Sequence, residues 1–193
     1  MDAKKIIISI IIFSAAFVAG KYAYDFFFNE PEIASFETVD WRTRILTDAG
    51  VTMQAPFDLD PINIEVPAYV KQMLKSISNY KYESKAIGVF VSKAEYKEDV
   101  EISFEGAVNG ALNGLKNAEG VTDFKHEITD IRKNYLNGKQ IKGSFKIKDH
   151  TSEFLGEMYR DRNKLLQILC VNLNFDENRE IRDKIMKSIR IKL

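Results

Sequence analysis

The sequence is poor in the residue types that most often carry out chemistry in proteins. Its 193 residues include one cysteine, Cys170, and two histidines, His126 and His150. A single cysteine excludes an internal disulfide and a multi-cysteine metal cluster, and its apolar surroundings predict a buried free thiol. Neither histidine has a partner at metal-ligand spacing, and no serine lies in the setting of a nucleophile elbow. We therefore expect no catalytic residues, no metal and no cofactor, and we predict that the protein is not an enzyme.

The chain also lacks an excess of charge of either sign. Lys+Arg and Asp+Glu each number 28, so the formal net charge is zero. No global basic field can attract nucleic acid, and we predict no nucleic-acid partner. Acidic residues cluster between Glu95 and Glu105, but without the ordered alternation and the glycine of a calcium loop, so they are interpreted as a solvated loop. An apolar fraction of 45% is typical of a globular protein with a core.

A long uncharged run lies close to the N-terminus, over residues 6–20. Its apolar side chains contribute roughly −0.3 to −0.6 kcal/mol each, and together about −3 to −5 kcal/mol, towards membrane insertion. At fifteen residues the run is shorter than the roughly 20 expected of a span, but aromatic residues between 22 and 28 extend it. We predict an N-terminal signal anchor, a transmembrane helix within residues 1–28. The anchor residues are Ile6, Ile7, Ile8, Ile10, Ile11, Ile12, Phe13, Phe17 and Val18.

The same run has two alternative interpretations. Residues 18–20 form a tolerable cleavage site, so one alternative is a removed signal peptide, and the other is a buried N-terminal core helix. Lys4 and Lys5 outweigh Lys21, so the positive-inside rule leaves the N-terminus in the cytoplasm. The prediction is a membrane-anchored protein with a linker over 29–40. Its folded domain, residues 41–193, then lies outside the cytoplasm, in the periplasm, at the cell exterior or in a lumen.

Three consecutive strands are predicted between residues 139 and 173, and the rest of the domain is interpreted as their cover. In 139–148 apolar or small residues alternate with polar ones, the pattern of a half-buried strand. The stretch 151–160 returns after a turn at Asp149-His150, and a second turn leads into 165–173. Because that last run is apolar on both faces, we expect elements to cover both faces of the sheet.

The segments before this sheet predict a hairpin and two helices. Short extended runs over 41–46 and 51–55 are typical of a hairpin. Pro67 is suited to the first turn of a helix that carries Val70, Met73, Leu74 and Ile77 on one stripe. A second helix is predicted over 103–118, where apolar residues recur at helical spacing. Its glycines fall at every fourth position from 106 to 114, which predicts close packing of this helix on the sheet.

The segments beside and after the sheet carry turn and cap signals. Asn137-Gly138 predicts a hairpin turn that follows a strand over 121–131. Asn174 and Glu177 resemble a capping box that opens a last helix, and residues 188–193 predict a final short strand.

The aromatic residues Tyr80, Tyr82 and Tyr96 suggest a surface recognition groove. Half-buried tyrosines of a sheet are the alternative interpretation of the same three residues.

From about residue 36 to residue 193 the chain resembles the PsbP-like superfamily, which includes the DcrB-type bacterial envelope proteins. The resemblance implies an α+β fold, an α/β/α sandwich around an antiparallel β-sheet. It also implies a non-catalytic accessory or binding role. The segments that carry it are an aromatic strand pair ending in Ala55-Pro56-Phe57, the small-residue helix over 104–115, the stretches 137–143 and 159–165, and a last helix ending at 188–191.

Three functions stay open at this point. The leading hypothesis is a non-catalytic, membrane-anchored, extracytoplasmic interaction module that binds another envelope or membrane protein. The second is a small-molecule or lipid-binding domain with a pocket between the sheet and a helix, which a deep apolar cavity would favour. The third is a hydrolase assembled from distant residues, which would need a polar cleft that brings His126 or His150 next to carboxylates.

Overall fold

The computed structural model describes residues 40–84, 86–147 and 150–193. The predicted signal anchor and almost all of the predicted linker lie outside the described residues. Within the described ranges, no helix is both long enough and apolar enough to cross a membrane.

Ten strands and three helices make up the described chain. In order they are β1 (Arg42–Leu46), β2 (Val51–Ala55), β3 (Asp60–Ile62), α1 (Ala68–Met73), β4 (Leu74–Glu83), β5 (Ile87–Tyr96), α2 (Phe104–Lys116), β6 (Val121–Lys133), β7 (Leu136–Ile147), β8 (His150–Asp161), β9 (Lys164–Leu173), α3 (Asp176–Ser188) and β10 (Arg190–Ile191).

The main sheet has seven strands in the order β3-β4-β5-β9-β8-β7-β6, and every neighbouring pair in it is antiparallel. The meander predicted from the sequence is therefore confirmed as β7, β8 and β9. Strand β9 lies between β5 and β8, and most of its residues are buried. This central position explains why its sequence is apolar on both faces.

Each face of the main sheet has its own cover. On the first face, α2 and the segment around α1 enclose a core cluster that includes Val108, Leu112, Phe145 and Phe154. On the second face, β1, β2 and β10 form a small three-stranded sheet that packs beside α3. A mixed fold around an antiparallel sheet is thus confirmed. The second layer differs from the helical layer of an α/β/α sandwich, because the predicted N-terminal hairpin pairs with the C-terminal strand and supplies much of the cover.

The helix predicted from Pro67 is shorter than its hydrophobic spacing suggested. It ends at Met73, and Leu74 already begins β4, where Leu74 pairs with Tyr96 and Ile77 pairs with Ala94. Pairing along β5 satisfies the backbone of these residues and partly buries their side chains, so tertiary context overrides a local helical pattern.

The turn between β6 and β7 lies at Asn134 and Tyr135, not at the predicted Asn137-Gly138. Lys133 pairs with Leu136, and Asn134 takes a φ of 57°, which asparagine tolerates better than most residues. Gly138 belongs to β7, where a Cβ would come within 2.6 Å of Cδ1 of Tyr159. The glycine is needed there for the close approach of the Tyr159 ring rather than for a turn.

The capping box predicted at Asn174 and Glu177 is also wrong. Helix α3 begins at Asp176 with Phe175 in the N-cap position and no side-chain cap. Asn174 instead accepts a hydrogen bond from Arg179 at 2.7 Å.

Candidate ligand site

A partly open cavity of about 40 Å³ lies between α2 and the first face of the main sheet. Helix α2 supplies its roof, and strands β5, β7, β8 and β9 supply its floor. Except for one glutamine, the described residues around it are glycine or apolar. The residues that enclose it include Phe90, Ala111, Leu112, Phe154, Met158 and Leu169.

Helix α2 is held over this cavity by its cap, its buried stripe and an ion pair. The Ser103 side chain accepts a hydrogen bond from the Gly106 backbone N–H at 3.1 Å, which fixes the first turn. Glu105 in that turn lies 3.2 Å from Lys139 Nζ on β7. Gly110 and Gly114 are buried, so the close packing predicted for the glycine stripe is present over part of the helix.

Gly156 leaves space in the floor of the cavity. A Cβ on this residue would lie 3.5 Å from the Ile168 carbonyl oxygen and 3.6 Å from Leu169 Cδ1, which are ordinary van der Waals distances. Gly143 on the neighbouring strand is different, because a Cβ there would come within 2.6 Å of Phe154 Cζ. The glycine at 143 is required by packing, whereas the glycine at 156 keeps a space open that a methyl group would fit.

Gln167 is the one polar side chain among the described residues around the cavity. It is 9% exposed, and its Nε2 has no hydrogen-bond partner in the described part of the chain. On the adjacent strand, Ser92 donates to Asn79 Oδ1 at 2.7 Å, so those two polar groups pair with each other. A buried donor without an acceptor costs roughly 1–3 kcal/mol. The cavity wall is therefore apolar, and the unpaired Nε2 of Gln167 is buried without facing into it.

Sequence reasoning missed Gln167 and Gly156. The available signal was a polar residue inside the apolar run 165–173, but that run contains a second polar residue, Asn172. In the structure Asn172 accepts a hydrogen bond from Arg182 at 3.1 Å, so it is partnered while Gln167 is not. The run alone could not distinguish the two.

The predicted recognition tyrosines lie on opposite faces of the main sheet. Tyr80 and Tyr82 are half-buried on the second face, where the Tyr82 ring stacks on Phe57 with ring centroids 3.5 Å apart. Tyr96 is 3% exposed in the first-face core, and burial raises its pKa to about 12. The structure does not gather the three rings in one groove, and a recognition role for them stays a prediction.

A buried carboxylate that the sequence did not single out lies on β8. Glu157 is 5% exposed and accepts hydrogen bonds from Lys133 Nζ at 2.9 Å and from the Tyr159 hydroxyl at 2.7 Å. Burial, and then the hydrogen bond to Glu157, raise the pKa of Tyr159 far above its ordinary value. Both donors are accounted for by this carboxylate, which is the arrangement of a structural network.

The histidines and the cysteine lie apart from this network. His126 and His150 are exposed, and the His126 ring lies 5.5 Å from the Phe124 ring. Cys170 is fully buried as a free thiol, as predicted. Over residues 40–84, 86–147 and 150–193, no three His, Cys, Asp or Glu side chains are grouped as metal ligands would be.

Comparison with known proteins gives no close relative. No family model matches the chain, and no curated protein matches it. The solved structure of LpqN from Mycobacterium tuberculosis, described as involved in cell envelope biogenesis, is 15% identical and has a TM-score of 0.46, with 81% of this chain and 92% of LpqN covered. PA94 from Pseudomonas aeruginosa, described as a protein of unknown function and putative regulator, is 12% identical and has a TM-score of 0.37, with 69% and 83% covered. The resemblance to the PsbP-like superfamily is not confirmed by these matches.

Proposed function

We propose that this chain is a non-catalytic binding protein whose folded domain takes a small, largely apolar ligand into the cavity between α2 and the main sheet. The observation that carries the proposal is the cavity itself. Protein interiors are normally close-packed, and an empty space lowers stability in proportion to its volume. Here a methyl group on Gly156 would fit at ordinary contact distances, yet the space is kept.

The N-terminal sequence supports the second part of the proposal, a membrane-anchored protein with its domain outside the cytoplasm. The uncharged run over residues 6–20 is apolar enough for insertion, and the lysines before it outnumber the one after it. A ligand-binding domain tethered in this way would meet small molecules close to the membrane surface.

The test uses the full-length chain in lipid nanodiscs, with methionine methyl groups labelled with ¹³C and xenon as the probe. Xenon enters dry apolar cavities without needing a polar partner. We expect the Met158 methyl signal to shift with xenon pressure, because Met158 lines the cavity. Met53 is the internal control, since it is buried in the core of the opposite face.

The matched variant is Gly156→Ala, which should place a methyl group in the cavity and reduce the Met158 response while the Met53 signal stays unchanged. If Met158 does not respond to xenon in the wild type, or responds equally in Gly156→Ala, the proposed ligand site is wrong.

The second candidate function is an accessory module that binds another envelope or membrane protein. The observation that favours it is the edge strand β6, because among the described strands Val121–Lys133 pairs with β7 alone, and most of its residues are exposed. Crosslinking in cells should recover a stoichiometric partner that is retained when residues 1–28 are exchanged for an unrelated anchor. Loss of the partner on that exchange would assign the contact to the anchor instead of the folded domain.

A further inference from the structure

We infer that β6 (Val121–Lys133) pairs edge to edge with β6 of a second copy of this chain, in an antiparallel register centred on Ile128. The two main sheets would then become one continuous sheet. This inference goes beyond the proposed ligand site and does not depend on it, because it concerns the edge of the sheet and a partner of a different kind.

The outer edge of β6 is open among the described strands. It is the last strand of the main sheet and pairs there with β7 alone. Most of its residues are exposed, and Ile128, at 39%, is one of the exposed large apolar side chains of the described chain. A bulge between Thr122 and Lys125 leaves a regular edge from residue 125 to residue 133. Such an edge is a template for a further strand, because its outward backbone groups have no partner within the sheet.

The turn at the end of β6 determines which backbone groups point outward. Lys133 pairs with Leu136 across a two-residue turn, and the pair that closes such a hairpin is hydrogen-bonded. Hydrogen-bonded and non-hydrogen-bonded pairs alternate along an antiparallel ladder, so the odd-numbered residues of this regular stretch bond β7. The residues whose N–H and C=O groups point away from β7 are therefore His126, Ile128, Asp130 and Arg132.

Pairing about Ile128 satisfies these outward groups and matches the side chains across the junction. Ile128 lies opposite Ile128 of the second copy, and His126 lies opposite Asp130, so outward residues face outward residues. Both pairs are on the first face of the sheet, where Ile128 pairs with the core residue Ile141. The Asp130 side chain is 84% exposed and binds Lys139 through Oδ1, so its Oδ2 can accept a hydrogen bond from His126 of the second copy.

Neighbouring registers are less favourable. With the axis at residue 127, Glu127 would lie opposite Glu127, and with the axis at 129, Lys125 would lie opposite Lys133. Like charges directly opposite each other destabilise a sheet. An axis at 126 avoids such pairs, but every residue beyond Glu127 would then need a partner at or before the bulge. The charges and the bulge therefore select Ile128 as the centre.

The symmetry of this pairing suits two proteins anchored in one membrane. Residues directly opposite in an antiparallel pair point to the same face of the sheet, so the second faces of the two copies lie on one side. The described chain begins at that face, where Trp41 packs against the core and lies 3.9 Å from Lys184 Nζ, measured to the ring centroid. Both folded domains thus begin on the same side of the joined sheet, which is compatible with two anchors in one bilayer.

The first test is disulfide crosslinking of the full-length chain in proteoliposomes, with single cysteines placed along β6. Native Cys170 is fully buried and does not compete. Ile128→Cys brings two Cα atoms to about 5.5 Å, within the range of a disulfide. In Glu127→Cys or Thr129→Cys the identical residues lie diagonally, about 7–8 Å apart, which is too far. Glu127→Cys and Thr129→Cys mixed in one vesicle bring the two cysteines directly opposite each other, at about 4.5 Å.

We expect Ile128→Cys, and the mixture of Glu127→Cys with Thr129→Cys, to crosslink several-fold faster than either of the latter two variants alone. Equal rates at all three positions would indicate random collision. The absence of a crosslinked dimer would mean that the edge has no second copy on it. Either result would overturn the inference.

The second test separates the edge from the fold. Ile128→Pro removes an N–H that points away from β7, whereas Thr129→Pro removes one that bonds β7. We expect Ile128→Pro to keep the circular dichroism spectrum of the wild type but to become monomeric in the same vesicles, as counted by single-molecule photobleaching, and Thr129→Pro to lose stability. A monomeric wild type, or a dimeric Ile128→Pro, would overturn the inference. The xenon response of Met158 would be unaffected by either result, so failure here is distinct from failure of the proposed ligand site.

Discussion

Placing a single methyl group in the cavity should stabilise the protein. Gly156→Ala adds a Cβ at 3.5–3.8 Å from its nearest neighbours, so no atom has to move. Burial of one methyl group contributes about 0.8 kcal/mol, and replacement of glycine by alanine at an unstrained position adds about 0.4–1 kcal/mol by restricting the unfolded chain. The expected gain in the free energy of unfolding is therefore about 1–2 kcal/mol.

Urea unfolding of the full-length chain in nanodiscs, followed by circular dichroism, measures this gain. With a slope of about 2 kcal/mol per molar, the midpoint should rise by about 0.5–1 M with the slope unchanged. Gly143→Ala is the matched control on the neighbouring strand. Its Cβ would lie 2.6 Å from Phe154 Cζ and still closer to the Lys125 carbonyl oxygen, so we expect a loss of about 3 kcal/mol.

A lowered midpoint in Gly156→Ala would refute the packing argument, because it would mean that the space beside Gly156 is already filled or that the strand cannot accept a side chain there. Equal effects at both glycines would show that the loss of backbone freedom, and not the cavity, determines the result.

Three further outcomes concern a buried amide, an ion pair and a thiol. Gln167→Leu should raise the free energy of unfolding of the unliganded chain by about 1–3 kcal/mol, because it removes a buried donor without a partner; a urea midpoint at or below that of the wild type would contradict this. Arg179, and to a lesser extent Arg182, lower the pKa of Glu153 below its ordinary value of 4.5. The stability that the ionised Glu153 contributes is therefore present above pH 4.5 and is lost as the pH falls through the lower pKa of the folded state. Arg179→Gln should therefore lose less stability than the wild type between about pH 5 and pH 3, and equal losses in urea titrations would exclude this coupling. Cys170 is fully buried, and burial raises the pKa of its thiol; a thiol reagent at about pH 8 should label it only as fast as the chain unfolds, and labelling faster than unfolding would show an accessible thiol.

The elements with regular local patterns were predictable from the sequence, and those decided by distant pairing were not. The alternation in β7 and the doubly apolar run of β9 identified the sheet, and the spacing of apolar residues identified α2. Leu74 and Ile77 also fit a helical stripe, and only the partner strand β5 makes them part of β4. Asn137-Gly138 has the composition of a turn, yet the chain turns three residues earlier, and Gly138 lies in β7 against the Tyr159 ring.

The candidate site depends on three strands that come together only in the fold. Gln167 on β9 pairs with Ser92 on β5 and with Met158 on β8. Whether Gln167 has a partner therefore depends on the side chains at 92 and 158, which lie 75 and 9 residues from it in the numbering of the chain. Ser92 is bonded to Asn79, and a methionine offers no strong acceptor. A pattern along one strand contains none of this information.

At two positions around the cavity, the residue present makes the folded protein less stable than a common alternative residue would. This is the strongest argument that the site has a role in binding. Alanine at 156 would fill space and restrict the unfolded chain, and leucine at 167 would remove an unpaired donor. Glu157, a buried polar group on the opposite face of the sheet, is paired with Lys133 and Tyr159, whereas the buried Ser152 hydroxyl has no partner among the described residues. Natural sequences break such local rules mainly where function requires it. A small apolar ligand would compensate for the first of these costs, because it would fill the space beside Gly156 that the close-packed core otherwise leaves empty.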